Sequence, residues 1–256
     1  MKKILYIFVV LAALTSCAKT YSVKGSSSVA ALDGSKLYLK ALQNGEMKIL
    51  DSCDVVHGEF HFTGLLDTVC MANLYMDEEG IMPLVLEEGE IVIRLDNATQ
   101  SVKGTPMNDS LYQFIDKHSQ LTNRMTELTH RQSQMLLEGM DEEDIDRQLT
   151  KEAADIAAEE DQLVTSFIVR NFDNVLGPGV FMMVTSQYRY PILTPQIEDI
   201  MSKATAKFKN DPYVRDYYQT AQENEARMNG MNDAAQSAAE PVVPKSAAPL
   251  TNVPQP

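Results

Sequence analysis

Tryptophan is absent from the 256-residue chain, and aromatic residues make up only 7% of it. That leaves little for a stacking platform of the kind that binds sugars or bases. Basic residues are also scarce: 22 Lys and Arg face 36 Asp and Glu, giving a formal charge of −14. A phosphate backbone is gripped by a basic stripe, so nucleic acid is set aside as a partner class. The three cysteines, Cys17, Cys53 and Cys70, are too few for a disulfide scaffold or a four-cysteine zinc site. No complete catalytic motif is present, so no catalytic, cofactor-binding or metal-ligating residue is assigned, no cofactor is expected, and the chain reads as a non-enzyme. What is present is 44% apolar residues, enough for a packed core.

The amino end carries the strongest signal. Met1-Lys2-Lys3 is a short positive stretch, and Ile4 to Leu14 is uninterrupted apolar sequence. Eleven residues are too short to span a bilayer, so 1–16 reads as a removable signal peptide. It ends in Leu14-Thr15-Ser16-Cys17, which resembles the bacterial lipobox and implies lipidation at Cys17. Each buried acyl CH₂ is worth about 0.8 kcal/mol, so a multi-chain anchor holds firmly. Residues 17–28 are then a tether. Ala18, rather than Asp, follows the cysteine, which favours the outer membrane, facing the periplasm, over inner-membrane retention.

Residues 29–107 read as a β-rich domain. Lys36–Leu42 alternates, Asn44-Gly45 is a hairpin turn, and Met47–Asp54 returns. His57-Gly58 turns the chain again, after which Phe60 and Phe62 face one way and Glu59, His61 and Thr63 the other. Val69–Met76, Met82–Leu86 and Glu90–Asp96 supply further strands, with Glu88-Gly89 as a hairpin between the last two. About seven short strands predict an antiparallel β-sandwich or a curled sheet.

Residues 108–229 change to a helical period. Leu111, Phe114, His118, Leu121, Met125, Leu128 and Met135 form one apolar seam, which Asn108 or Asp109 can cap and Gly139 can end. Ile145, Leu149, Ile156, Leu163 and Phe167 form a second, capped by Asp141. Two seams across a short join predict an antiparallel helical hairpin, with coiled-coil dimerisation as the alternative. Gly177-Pro178-Gly179 breaks the chain before an apolar helix. Thr194-Pro195 opens another helix to about Phe208, and Asp211-Pro212 opens a last one to Met228. Residues 230–256, rich in Ala, Ser and Pro, read as a disordered tail. The fold class is α+β.

The run Tyr21-Ser22-Val23-Lys24-Gly25, Gly58-Glu59-Phe60-His61-Phe62-Thr63-Gly64, Leu84-Val85-Leu86-Glu87-Glu88-Gly89-Glu90 and Gly104-Thr105-Pro106-Met107-Asn108 resembles the lipoprotein β-domain called domain of unknown function 4369. That resemblance implies an envelope protein, in which such a domain often precedes a thioredoxin-like one. Here no Cys-x-x-Cys motif follows, and no cysteine stands after Cys70, so the redox activity has no residues to be carried onto.

Several side chains invite chemistry and have plainer explanations. Cys53 and Cys70 form a disulfide only if their strands are neighbours; otherwise they are small hydrophobes. His57, Glu59 and His61 offer two imidazoles and a carboxylate as metal ligands without a fourth, and surface histidines are the plainer reading. His118, on the seam, reads as a satisfied core histidine, and His130 as solvated. The acid run from Glu138 to Asp161 lacks the glycine of an EF-hand loop and suits helix starts and a solvated face. Tyr188, Tyr190, Tyr213, Tyr217 and Tyr218 read as packing. Asp67-Thr68-Val69 and Asp109-Ser110-Leu111 resemble a short O-glycosylation acceptor. The expected function is a non-catalytic, lipid-anchored accessory module that binds an envelope protein or small-molecule ligand through the β-domain or its junction with the helices. The alternatives are an accessory of thiol–disulfide machinery or a helical oligomerisation module.

Overall fold

A computed structural model describes residues 19–43 and 45–228. Cys17, the signal segment, the tail and Asn44 lie outside the described residues. Eight strands come first: β1 Thr20–Ser27, β2 Lys36–Gln43, β3 Glu46–Asp54, β4 Glu59–Leu65, β5 Cys70–Met76, β6 Glu79–Leu86, β7 Gly89–Leu95 and β8 Gln100–Lys103. Six helices follow: α1 Pro106–Leu137, α2 Glu142–Arg170, α3 Leu176–Thr185, α4 Pro195–Lys203, α5 Ala206–Lys209 and α6 Pro212–Met228. The molecule is α+β. Among the described residues, no helix is long and apolar enough to cross a membrane.

The strands form two four-stranded sheets, ordered β4-β1-β7-β8 and β3-β2-β5-β6. Alternation along each strand sends one set of side chains inward. Val23, Phe62, Ile91 and Ile93 from the first sheet share a core with Leu37, Leu39, Leu74 and Leu84 from the second, all at most 1% exposed. Of the two architectures the pattern allowed, the sandwich is the one formed. Gly25 sits opposite Phe60 across the β1–β4 pair, and a Cβ there would fall 2.0 Å from that ring. Its missing side chain is what lets the ring lie against the strand.

Three expectations for this half are corrected. The tether does not reach residue 28, because Thr20–Ser27 is an interior strand paired to β4 on one side and β7 on the other. Small polar residues gave it the look of a linker, yet Tyr21 and Val23 carry its buried face. Glu88-Gly89 reverses the chain without making a hairpin: β7 leaves the sheet of β6 and runs parallel to β1. A turn fixes reversal but not which sheet the next strand joins. The hairpin instead lies between β5 and β6, at Asp77 with φ 52°, so β6 begins at Glu79 rather than Met82.

The second sheet is covered on both faces. A Cβ on Gly179 would come within 2.6 Å of Met71 Cγ, so α3 lies directly on β5. Phe181, at the centre of this helical layer, meets the rings of Phe208, Tyr213 and Tyr217 edge-on at 5.5–6.4 Å. Burial on both faces explains why Leu84, Val85 and Leu86 are all at most 1% exposed.

Helices α1 and α2 form the antiparallel hairpin. Its near end joins the main core through Leu111, Tyr112, Phe114, Val164, Phe167 and Ile168. Its far end has a separate core of Leu121, Leu128, Ile145, Leu149 and Ile156. At 1.5 Å per residue, the 32 residues of α1 run about 48 Å. The tip closes with a Schellman motif: Met140 N–H donates to Met135 O and Gly139 N–H to Leu136 O, both at 3.1 Å, with Gly139 at φ 80°. Asp141 accepts from Glu143 N–H to start α2.

Elsewhere the helix boundaries differ from expectation. α1 starts at Pro106, with Thr105 as N-cap rather than Asn108 or Asp109. Gly177-Pro178-Gly179 opens α3: Pro178 stands in the first turn, where an amide would have no partner inside the helix, and Gly179 N–H already donates to Val175 O at 3.0 Å. α4 ends at Lys203, because Thr205 caps a separate turn, accepting from Phe208 N–H.

Candidate functional site

The sandwich and the helices meet at a joint built from side chains rather than from loop backbone. Glu87, only 8% exposed, accepts from the Met107 and Asn108 amides at 2.8 and 3.2 Å. A carboxylate from the β6–β7 turn thus caps the positive end of α1. Asn108, fully buried, pairs with the free edge of β6 as another strand would. Its Oδ1 accepts from Val85 N–H at 2.8 Å, while its Nδ2 donates to Val85 O at 2.7 Å and to Thr105 Oγ1 at 2.8 Å. Asp109 accepts from Gly104 N–H, and the Tyr112 hydroxyl donates to Pro83 O at 3.0 Å. Burial pushes the Tyr112 phenol far up, so it stays a neutral donor. These residues tie the arm to the sheet and leave no reactive group exposed.

Beside the joint, on the hairpin, lies a notch of about 110 Å³ lined by Ser110, Gln113, Phe114, Lys117, Leu163, Phe167, Arg170 and Asn171. Its exposed lining is mostly polar, with the buried Phe114 and Phe167 rings 4.6 Å apart beneath it. Lys117 and Arg170 make no ion pair with a carboxylate among the described residues. Three arginines of the hairpin are paired: Arg124 with Glu159 and Arg131 with Glu152, each at 2.7 Å, and Arg147 with Asp144. A wider recess of about 490 Å³ lies between α2 and α4, lined by Asp161, Gln162, Thr165, Ser166, Val169 and Lys203. Its one cation, Lys203, is already held by Asp199 at 2.6 Å.

The sequence-nominated residues mostly lie apart from the notch. Cys53 and Cys70 are free thiols, which corrects the candidate disulfide. Both belong to the second sheet, but Cys53 pairs opposite Leu37 whereas Cys70 lies beyond Asn73, the partner of Lys40. About six residues of strand separate their levels, roughly 20 Å against the 4.4–6.8 Å a disulfide needs. Burial pushes the Cys53 thiol up to about 11 and raises Cys70 as well. His61 Nε2 lies 3.2 Å from Ser22 Oγ, and among the described residues no group of three His, Cys, Asp or Glu is arranged to hold a metal.

His118 is not a core histidine: it is half-buried and pairs with Glu160 at 2.9 Å. That bond holds the Glu160 carboxyl below its usual value. His130 is exposed, and the acids Glu142, Glu143 and Asp144 fill the first turn of α2. Tyr213 and Tyr217 are buried packing residues, with Tyr213 and Thr185 hydroxyls 3.0 Å apart, whereas Tyr188 is exposed. Asp67 and Thr68 are exposed in the β4–β5 turn, while Ser110 lies in the first turns of α1 beside the fully buried Leu111.

Sequence reasoning missed Lys117, Gln113 and Arg170. Their signal was present in the spacing of charges along the two seams, which is readable only once the helices are paired.

The class this defines is a β-sandwich carrying a docked helical hairpin. Residues 21–111, which span the sandwich and the start of α1, match the model of the family described as a domain of unknown function (DUF4369). The matched segment includes Glu87, Thr105 and Asn108, so the joint lies within it. Among curated proteins, none matches this chain.

Proposed function

We propose that the protein is a non-catalytic, lipid-anchored envelope module that binds a ligand or partner at the junction of its sandwich and helices. The observation that carries the reading is the notch. In a chain of charge −14, two cations without a carboxylate partner line one small cavity. The lipobox-like Leu14-Thr15-Ser16-Cys17 supports the anchor, with the outer membrane, periplasm-facing, as its location. The two thiols, held protonated by burial and far apart on their sheet, weigh against redox chemistry by this chain alone. The apolar seams spent inside the hairpin weigh against helical oligomerisation.

Two experiments test this. Labelled palmitate should enter the wild-type protein and not Cys17→Ser; equal labelling of both, or of neither, would remove the anchor. In the presence of purified protein, dithiothreitol should reduce insulin at the uncatalysed rate. Turnover above that rate would defeat the non-catalytic reading.

A further inference from the structure

The cross-hairpin ion pairs form a ladder with a missing rung. Arg131 on α1 meets Glu152 on α2; seven residues back on α1 and seven forward on α2, Arg124 meets Glu159. One heptad keeps a residue on nearly the same helix face, so the pairs lie along one side of the hairpin. The next step of the same register brings Lys117 opposite Ser166. The register gives a cation on α1 and, in place of the carboxylate on α2, a hydroxyl at the border with the α2–α4 recess, which donates to Leu163 O of its own helix at 3.2 Å. One turn further along α2, Arg170 adds a second cation, and here the notch opens.

We propose that the notch binds a small carboxylate, which supplies the missing rung between Lys117 and Arg170. This rests on the reading of the junction as a binding site and names the ligand chemistry. Two features select it. Two cations from facing helices favour an anion, and a guanidinium can bind a carboxylate through two parallel hydrogen bonds. A volume of about 110 Å³ is about that of four waters, which suits a branched short-chain acid or the last residue of a peptide. Arg170 also stands in the last turn of α2, where a cation complements the helix carbonyls. That accounts for its charge but not for its meeting Lys117 at a cavity. Asp173, the nearest acid beyond the helix, is already engaged, accepting from Thr205 Oγ1 and, through its carbonyl, from Lys207.

The test is calorimetric titration of the full mature chain carrying Cys17→Ser with five probes. These are 3-methylbutanoate, 3-methylbutanamide, inorganic phosphate, and a short leucine-terminated peptide with its end free or amidated. Saturable binding of 3-methylbutanoate in the millimolar range is expected, weakened about tenfold or more in Lys117→Gln and in Arg170→Gln, both exposed positions. Ser166→Glu, which restores the rung from within, should suppress binding by a similar factor. The free peptide binding more tightly than the acid would identify a chain terminus as the source; the reverse would identify a free organic acid. If the amides or phosphate bind as well as the carboxylates, the carboxylate inference fails while the junction still binds a ligand. If no probe gives saturable heat, or the three variants leave binding unchanged, the inference and the notch as binding site both fail.

Discussion

The two ends of the α1–α2 hairpin are written in one helical pattern but held in different ways. At the near end, Leu111, Phe114, Phe167 and Ile168 are continuous with the core of the sandwich, and buried hydrogen bonds from Glu87 and Asn108 fix the helix to a strand. At the far end, five buried residues form a core one layer thick, supported by surface ion pairs. The near end shares the stability of the whole domain, whereas the far end can open by itself.

Removing the aromatic centre of the main core should have the largest effect. Phe181→Ala is expected to cost about 3–5 kcal/mol, read as a lower urea midpoint for the sandwich and helices together. Ile156→Ala, in the thin core, should cost about 2–4 kcal/mol. Its signature is local: hydrogen exchange should accelerate in residues 121–156 while β1 and β7 keep their protection. Uniform acceleration would show that the two ends are one cooperative unit.

Asn108→Ala should cost about 2–3 kcal/mol, because the Val85 amide and carbonyl are left buried without partners. A leucine side chain offers neither donor nor acceptor to that strand, so Asn108→Leu should be no better despite its apolar bulk.

The smallest expected effect is at the surface of the arm. Glu160 has its folded-state pKa lowered below 4.5 by the hydrogen bond from His118. The stability it contributes is therefore present above that value and lost as pH falls through the lowered one. The pair is only partly buried, so the loss is discounted for solvent screening to under about 1 kcal/mol. Protection factors at the far end should fall slightly as pH drops below about 4.5, and His118→Asn should abolish that dependence. Cys53 gives a chemical contrast: with its thiol near 11, alkylation by iodoacetamide at neutral pH should run roughly a hundredfold slower than for an unperturbed thiol.

How much of this was legible depended on how far apart the interacting residues stand. The seams were readable because their period is set within one or two turns, and the inward Phe60 and Phe62 because a strand alternates by itself. What escaped was non-local. Nothing around Glu88-Gly89 says that β7 will join β1, and Thr20–Ser27 looks like a linker until two strands flank it. Gly177-Pro178-Gly179 looks like a break because its tolerance within a first helical turn depends on where the helix begins. For the notch, Arg131, Arg124 and Lys117 recur at sevens, as do Glu152, Glu159 and Ser166. Only the pairing of α1 with α2 turns the two series into a ladder that lacks one acid.

The central physical claim is that Glu87 and Asn108 hold the hairpin rigidly on the sandwich, so that the notch keeps its shape. The distance between spin labels at Gln132, near the tip, and Thr63, on β4, measured by pulsed electron resonance after Cys53 and Cys70 are replaced by serine, tests it most directly. A single narrow distribution that broadens in Asn108→Ala is the expected result. A distribution already broad with Asn108 in place, or a narrow one that Asn108→Ala leaves untouched, would contradict the account.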